Sequence, residues 1–160
     1  MIDGYPRALT LVAAIGAGLG AGVFFAFSSF VMKGLGRLTH PAGLSAMQAI
    51  NKAAPSPLLV TALFGTAAVC VGLAISALTR LSEPVARYQL IGSVLYLAGI
   101  VLTVAYHIPR NDALDLVDPN GADAAADWAA YLRNWTAWNH VRTLTSLAGA
   151  VVLTVALRVG

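Results

Sequence analysis

Residues 53–79 read AAPSPLLVTALFGTAAVCVGLAISALT and contain no Asp, Glu, Lys or Arg. A helix rises about 1.5 Å per residue, so about 20 apolar residues cross a hydrocarbon core about 30 Å thick. Three further stretches of the chain also lack these four residue types, and they are residues 8–32, 88–106 and 143–157. The sequence therefore predicts an all-α integral membrane protein in which four transmembrane helices form a bundle.

The composition of the 160-residue chain indicates one membrane domain, covering residues 1–160. Hydrophobic residues make up 58% of it and charged residues 11%, whereas soluble domains average about 25% charged residues. The net charge of +3 is small and dispersed, so we expect no nucleic-acid partner. The first apolar stretch is longer than the apolar part of a signal peptide, and we expect it to be retained as a helix.

Proline residues and turn signals predict where the helices begin and end. Helices are expected over residues 6–32, 43–53, 57–78 and 85–107, of which 43–53 is a short amphipathic helix in the first loop. Ile108–Pro109 is predicted to end the third span, because a residue before proline disfavours the helical conformation. A longer loop from Arg110 to about Ala122 follows, and a helical pattern restarts near Asp123.

The fourth span is too short when it is measured between its charged ends. Only 15 residues separate Arg142 from Arg158, which is about 22 Å of helix. The span must therefore extend upstream, which places Asn139, His140 and Arg142 at or just below the membrane surface. Because polar groups at that depth avoid lipid, Trp135, Asn139, Arg142 and Ser146 are expected to share one inward face.

An even number of spans puts the first and third loops at the same end of the bundle. Met47 and Asn51 of the short helix, residues 107–111 and residues 135–142 should therefore meet there, and a pocket open to that end is expected. Lys and Arg counts at the two ends do not decide the orientation. We expect a cell (inner) membrane protein with both termini cytoplasmic.

Glycine pairs on the first span suggest close helix contacts. Gly16/Gly20 and Gly18/Gly22 repeat small residues at four-residue spacing, which lets another helix approach closely. The partner is either a helix of the same bundle or a second copy of the chain, so a homo-oligomer through this face is one expectation.

Several motifs occur together in a fixed order. They are GVFFAFSSFVM at residues 22–32, AMQAIN at residues 46–51, HIPRN at residues 107–111 followed by Leu114, and WTAWNHVR at residues 135–142. In this order they resemble the anthrone oxygenase-like (DUF1772) family of integral membrane proteins, over nearly the whole chain.

The resemblance implies a four-helix membrane fold, and an activity that some members display. Fungal members are similar to enzymes that oxidise an anthrone to an anthraquinone with O2. Asn51, Asn111, Trp135, Asn139 and Arg142 fall on family-motif positions. His107 and His140 belong to a bacterial variant of the motifs, and a bacterial source also agrees with eight Arg against two Lys.

Oxygenase chemistry would assign a role to each polar residue at this end. An anthrone has an acidic methylene group, and its enolate can react directly with O2, so no cofactor is strictly required. His107 is the candidate base, and Arg142, Asn139 and Asn111 are candidates to stabilise the oxyanion. The expected substrate-binding residues are Asn51, Met47, Trp135, Trp138, Phe24 and Phe27.

Other functions remain open at this point. The chain could bind a lipid or hydrophobic metabolite without turnover, or serve as a subunit of a larger complex. His40, His107 and His140, with Asp112 or Asp115, could hold a metal, and haem or quinone binding is a related possibility. A purely structural reading is available for each residue: Arg142 can reach the headgroups, and Trp135 and Trp138 can be interface aromatics.

Overall fold

A computed structural model describes residues 4–159 of the chain, and most of them are helical. Four helices are long and apolar enough to cross a membrane: span 1, Pro6–Leu35; span 2, Pro57–Leu78; span 3, Pro84–Asp115; and span 4, Ala124–Val159. A fifth helix, His40–Ala53, joins spans 1 and 2 and is called the loop helix below. The predicted all-α architecture of four spans and a short helix in the first loop is confirmed.

Span 4 packs along both span 1 and span 3, and span 2 packs against spans 1 and 3. Glycine makes the closest of these approaches possible. A Cβ atom added to Gly149 would lie 2.9 Å from the carbonyl oxygen of Gly92, so spans 3 and 4 touch through their backbones. Small residues at helix crossings are the usual means of close packing in membranes.

The glycine pairs of span 1 divide between the inside and the outside of the bundle. Gly16 packs directly against Thr66, and Gly20 lies against Leu63 of span 2 and Tyr96 of span 3. Gly18 and Gly22 have open space beside them. Gly16 and Gly20 therefore serve contacts within the chain, and a homo-oligomer at this face stays a prediction that involves the other pair.

Large apolar side chains cover the outside of the bundle. Examples that are more than 60% exposed are Ile15, Phe25, Phe30, Ile75, Val101 and Leu144. An apolar surface on this scale is unfavourable in water, whereas the hydrocarbon core of a bilayer accommodates it. Together with the four long apolar helices, it identifies a membrane protein.

Three of the spans contain a wide, π-helical turn at the same end of the bundle. These turns are Phe27–Val31 in span 1, Thr61–Gly65 in span 2 and Thr103–His107 in span 3. Such turns insert extra backbone into an α-helix and are frequent at functional sites.

The prediction that Pro109 ends span 3 is wrong. The helix continues to Asp115, so the third loop is shorter than expected and Asp112 and Asp115 lie on the span. Proline removes a backbone N–H and its ring crowds the preceding turn. The wide turn Thr103–His107 comes immediately before and accommodates both effects, with the Ile108 N–H bonded to the carbonyl of Thr103.

Span 4 extends upstream as predicted. It is a single helix of 36 residues, which corresponds to about 54 Å and exceeds the thickness of the hydrocarbon core. Its first turns therefore lie beyond the core, at the end where the loop helix packs.

Candidate functional site

A cavity of about 280 Å³ lies at the loop-helix end of the bundle. Every span and the loop helix contribute to its wall. Its main lining residues are Phe24 and Phe27 of span 1, Met47 and Asn51 of the loop helix, Leu63 and Phe64 of span 2, Thr103, His107 and Asn111 of span 3, and Trp135 and Arg142 of span 4.

Arg142 is the buried cation of this cavity, with 5% of its side chain exposed. Its Nε and one terminal nitrogen donate to Oδ1 of Asn139 at 3.1 and 2.6 Å, and its other terminal nitrogen donates to Oγ1 of Thr103 at 3.2 Å. The guanidinium lies over two aromatic rings, 4.2 Å from the centre of Phe24 and 5.3 Å from that of Trp135. These contacts fix the charge at one point on the cavity wall.

No carboxylate neutralises Arg142 within residues 4–159. The one ion pair in that part of the chain joins Arg80 and Glu83, at the other end of the bundle. A buried cation without a counter-ion is costly in a membrane, and such residues mark functional sites. The guanidinium has five N–H donors, of which the protein bonds described above use three. The cavity is therefore suited to a ligand that carries or develops negative charge.

Asn139 holds Arg142 in place from behind the cavity wall. It is fully buried, and its Nδ2 donates to the carbonyl of Phe24 and to Oγ of Ser28, both at 2.7 Å. Its Oδ1 accepts from Arg142. Span 1 thus orients the amide, and the amide orients the guanidinium, so Asn139 acts on a ligand only through Arg142.

His107 presents an unpartnered nitrogen in a buried position. Its side chain is 1% exposed, and Nδ1 lies 3.2 Å from the carbonyl oxygen of Leu102. A carbonyl can only accept, so this contact favours the neutral tautomer with the hydrogen on Nδ1 and a lone pair on Nε2. Within the residues that the structure describes, Nε2 has no hydrogen-bond partner. The imidazole packs edge-on against Trp135, with ring centres 5.1 Å apart.

Asn111 joins three elements at the wall of the cavity. Its Oδ1 accepts from the Tyr131 hydroxyl at 2.8 Å and from Nε1 of Trp135 at 2.9 Å. Nδ2 of Asn51, on the loop helix, donates to the Asn111 carbonyl at 3.4 Å and to Oδ1 of Asp115 at 3.2 Å. The network ties the loop helix and span 4 to the last turns of span 3.

Aromatic rings form a rigid wall along span 4. Trp128 stacks on Tyr131 with ring centres 5.9 Å apart, and Tyr131 stacks on Trp135 at 6.1 Å. Phe27 contacts Trp135 from span 1 at 5.7 Å. Of these rings, Phe27 and Trp135 line the cavity, and their flat apolar surfaces favour a flat aromatic ligand.

Eight of the ten site residues expected from the sequence line this one cavity. They are Phe24, Phe27, Met47, Asn51, His107, Asn111, Trp135 and Arg142. Asn139 lies behind the wall. Trp138 is not among the lining residues, because it sits beside the inward face of span 4, 44% exposed, with its ring 5.4 Å from that of Tyr106.

The three histidines do not meet. His40, at the start of the loop helix, and His140, on the outer side of span 4, are both exposed, whereas His107 is buried. No group of three or more His, Cys, Asp or Glu side chains in the described part of the chain is arranged to hold a metal ion. The expected set of metal donors is therefore not assembled, and haem or quinone binding stays an untested prediction.

Thr103 and Tyr131 are polar residues of the site that were not expected from the sequence. Thr103 bonds Arg142, and Tyr131 bonds Asn111. Each lies four residues before an expected site residue, Thr103 before His107 and Tyr131 before Trp135, and so shares its helical face. This four-residue spacing was the signal in the sequence that could have identified Thr103 and Tyr131 as site residues.

The fold and the site define a class: a four-span membrane protein in which a buried arginine without an acidic partner in the described range and a buried histidine line one cavity. The family model described as anthrone oxygenase matches residues 57–152, which is more than half of the chain. The protein belongs to the anthrone oxygenase family. The matched range includes His107, Asn111 and Arg142 but not span 1 or the loop helix. No curated protein and no solved structure matches the chain.

Proposed function

We propose that this protein is a membrane oxygenase that removes a proton from a flat, acidic aromatic molecule of the anthrone type and lets the resulting enolate react with O2. One observation carries the proposal. His107 and Arg142 line the same cavity, and among residues 4–159 the Nε2 of His107 has no hydrogen-bond partner and the Arg142 guanidinium has no acidic partner. A base and an anion-stabilising group are what enolate formation requires.

The first step is transfer of the methylene proton from the substrate carbon to Nε2 of His107. The electron pair left behind is delocalised onto the substrate oxygen, and Arg142 stabilises the negative charge there. Because Thr103 and Asn139 already orient the guanidinium, little reorganisation is needed when the charge develops.

The second step is oxidation of the enolate by O2. The carbon forms a bond to oxygen, and protonation gives a hydroperoxide. Loss of the second hydrogen from that carbon and cleavage of the O–O bond then give a ketone and water. One anthrone and one O2 thus yield one anthraquinone and one water, and O2 is the only oxidant consumed.

A second candidate is a binding protein that holds a hydrophobic metabolite without turnover. The apolar side chains of Val23, Leu59 and Leu63 in the cavity wall favour it. It predicts that an anthrone binds without being consumed, so measurement of turnover separates the two candidates.

The test compares two histidine variants in vesicles that are supplied with 1,8-dihydroxyanthrone. Oxygen uptake and anthraquinone absorbance are followed together, and protein-free vesicles give the spontaneous rate. Loss of the base in His107→Gln should slow the catalysed rate by about 10²- to 10⁴-fold. His140→Gln is the matched control, since this exposed side chain does not line the cavity, and it should keep the full rate.

Two results would contradict the proposal in different ways. If His107→Gln oxidises the anthrone as fast as the unaltered protein, His107 is not the base. If the unaltered protein never exceeds the protein-free rate, the oxygenase assignment fails, and binding without turnover takes its place.

A further inference from the structure

We infer that the cavity opens sideways into the lipid, through a gap between spans 2 and 3, and that its ligand arrives from within the bilayer. This inference rests on the proposed function for the identity of the substrate, but not for the route. The name lateral mouth is used below for the gap bordered by Val60, Phe64 and Ile108.

The residues that border the lateral mouth belong to the cavity and to the outer surface at the same time. Val60, Phe64 and Ile108 line the cavity, and they are 40%, 38% and 41% exposed. A side chain that is both a cavity wall and exposed marks an opening. All three are apolar, and they come from the two neighbouring spans 2 and 3.

The packing of spans 2 and 3 explains why a gap exists there. The helical segments Thr66–Leu78 and Pro84–Leu102 pack closely against each other. Beyond them the two spans find different partners: residues 61–65 pack on span 1, and residues 108–115 pack on the loop helix and span 4. Each span contains its wide turn on its own side of the gap, at Thr61–Gly65 and at Thr103–His107.

The depth of the mouth distinguishes a lipid route from a water route. Phe64 lies seven residues after Pro57, which is about 10 Å of helix below the start of span 2. The lateral mouth also has a polar edge. It is formed by Asp112, which lines the cavity and is exposed close to the end of span 3. The gap therefore runs from the interface into the apolar layer, and its lower part is bordered by apolar side chains only.

A mouth of this kind selects its ligand by solubility. Only a molecule that dissolves in the bilayer can reach the lower part of the gap, and only one with an acidic group gains from Arg142 once inside. The route therefore suits an apolar molecule with an acidic group, such as the anthrone of the proposed function, taken up from the lipid rather than from water.

The test is the rate at which a cysteine inside the cavity is labelled. Cys70 is first replaced by Ser, and Leu63→Cys then gives a reporter, because Leu63 is buried and lines the cavity. In vesicles, a lipid-soluble methanethiosulfonate should label it faster than a charged, membrane-impermeant one. Adding Phe64→Trp should slow labelling by the lipid-soluble reagent about tenfold, since a larger ring fills the gap.

Phe30→Trp is the matched control, because Phe30 is exposed on span 1 and does not line the cavity, and it should leave the rate unchanged. Val23→Cys is a second reporter on another span, should Leu63→Cys fold poorly. Equal labelling by the charged reagent, or no effect of Phe64→Trp, would overturn the lateral mouth. Labelling needs no turnover, so a protein that fails to oxidise anthrone can still support this inference, and an active oxygenase can still refute it.

Discussion

The two ends of the bundle are built from the same four helices but differ in the side chains placed where the helices cross. Around Gly92 and Gly149, spans 3 and 4 meet backbone to backbone. Toward the loop helix the facing sides of spans 3 and 4 hold the larger residues His107, Trp135 and Arg142, and these line the cavity. The comparison shows that small residues on the facing sides of two spans permit backbone contact, whereas the cavity is lined by large residues on the same helices.

The two ends are also stabilised by different balances of interactions. The glycine end is the part of the bundle around Gly92 and Gly149 and beyond them toward Arg80. It combines dispersion contacts between closely spaced helices with a buried hydrogen bond from Nε2 of Gln89 to Oγ1 of Thr10 at 2.8 Å. The cavity end relies on hydrogen bonds that cross between helices, such as those of Asn139 to Phe24 and Ser28, each contributing about 0.6 to 2 kcal/mol in membrane proteins. Variants that change one end should therefore affect stability, and variants that change the other should affect chemistry.

The largest effect is expected from Arg142→Met, which gives the cavity end an apolar core like that of the glycine end. Loss of the anion-stabilising group should lower anthrone turnover by about 10²- to 10³-fold. Thermal unfolding in detergent should change little, because removing an uncompensated buried charge offsets the lost hydrogen bonds. Arg158→Met, at the opposite end of span 4, is the control and should retain full turnover.

Unchanged turnover in Arg142→Met would show that the guanidinium has a structural role only. A loss of turnover together with unfolding of the protein would also contradict this prediction, since it would show that the fold itself needs Arg142.

The next largest effect is expected from Gly149→Leu, which places a large residue at the tight crossing. Its Cβ would lie within 2.9 Å of the Gly92 carbonyl, so spans 3 and 4 must separate, at a cost of about 1 to 3 kcal/mol. The midpoint of thermal unfolding in detergent should fall. Gly18→Leu is the matched control, because Gly18 has open space beside it, and an equal loss there would contradict the packing described.

A smaller effect is expected from Tyr96→Phe, which removes a hydrogen bond from span 3 to span 2. The Tyr96 hydroxyl donates to the Leu63 carbonyl at 2.9 Å, in the wide turn of span 2. Its loss should lower the free energy of unfolding by about 1 kcal/mol. Tyr88→Phe, at a half-exposed position on span 3, should have no measurable effect. If both variants have the same free energy of unfolding, the hydrogen bond to the wide turn contributes nothing to stability.

The smallest effect is expected at the glycine end from Glu83→Gln. The Arg80–Glu83 pair measures 3.0 Å, and its side chains are 28% and 49% exposed. Solvent screens such a pair, so the loss in unfolding free energy should stay below about 0.5 kcal/mol. Arg80→Ala should cost more, because Arg80 also donates to Oγ of Ser76 at 3.2 Å and to Oε1 of Gln89 at 3.3 Å. A loss well above about 0.5 kcal/mol in Glu83→Gln would mean that this end also depends on charge.

The sequence determined the helices and most of the inward faces. Charge-free stretches longer than a bilayer leave few alternatives to a spanning helix, and the shortness of residues 143–157 required span 4 to extend through Trp135. The face shared by Trp135, Asn139, Arg142 and Ser146 follows from helical periodicity, and all four are buried in the structure.

Only the tertiary structure decided which groups are satisfied and which remain available. Whether Arg142 has an acidic partner, whether Nε2 of His107 is bonded, and whether Trp138 lines the cavity all depend on how the helices rotate and where they separate. The wide turn before Pro109 overrode the local rule that a proline ends a helix, because neighbouring helices can stabilise a backbone that would be unfavourable alone. Periodicity places a residue on a face, but contacts between distant parts of the chain decide what that face meets.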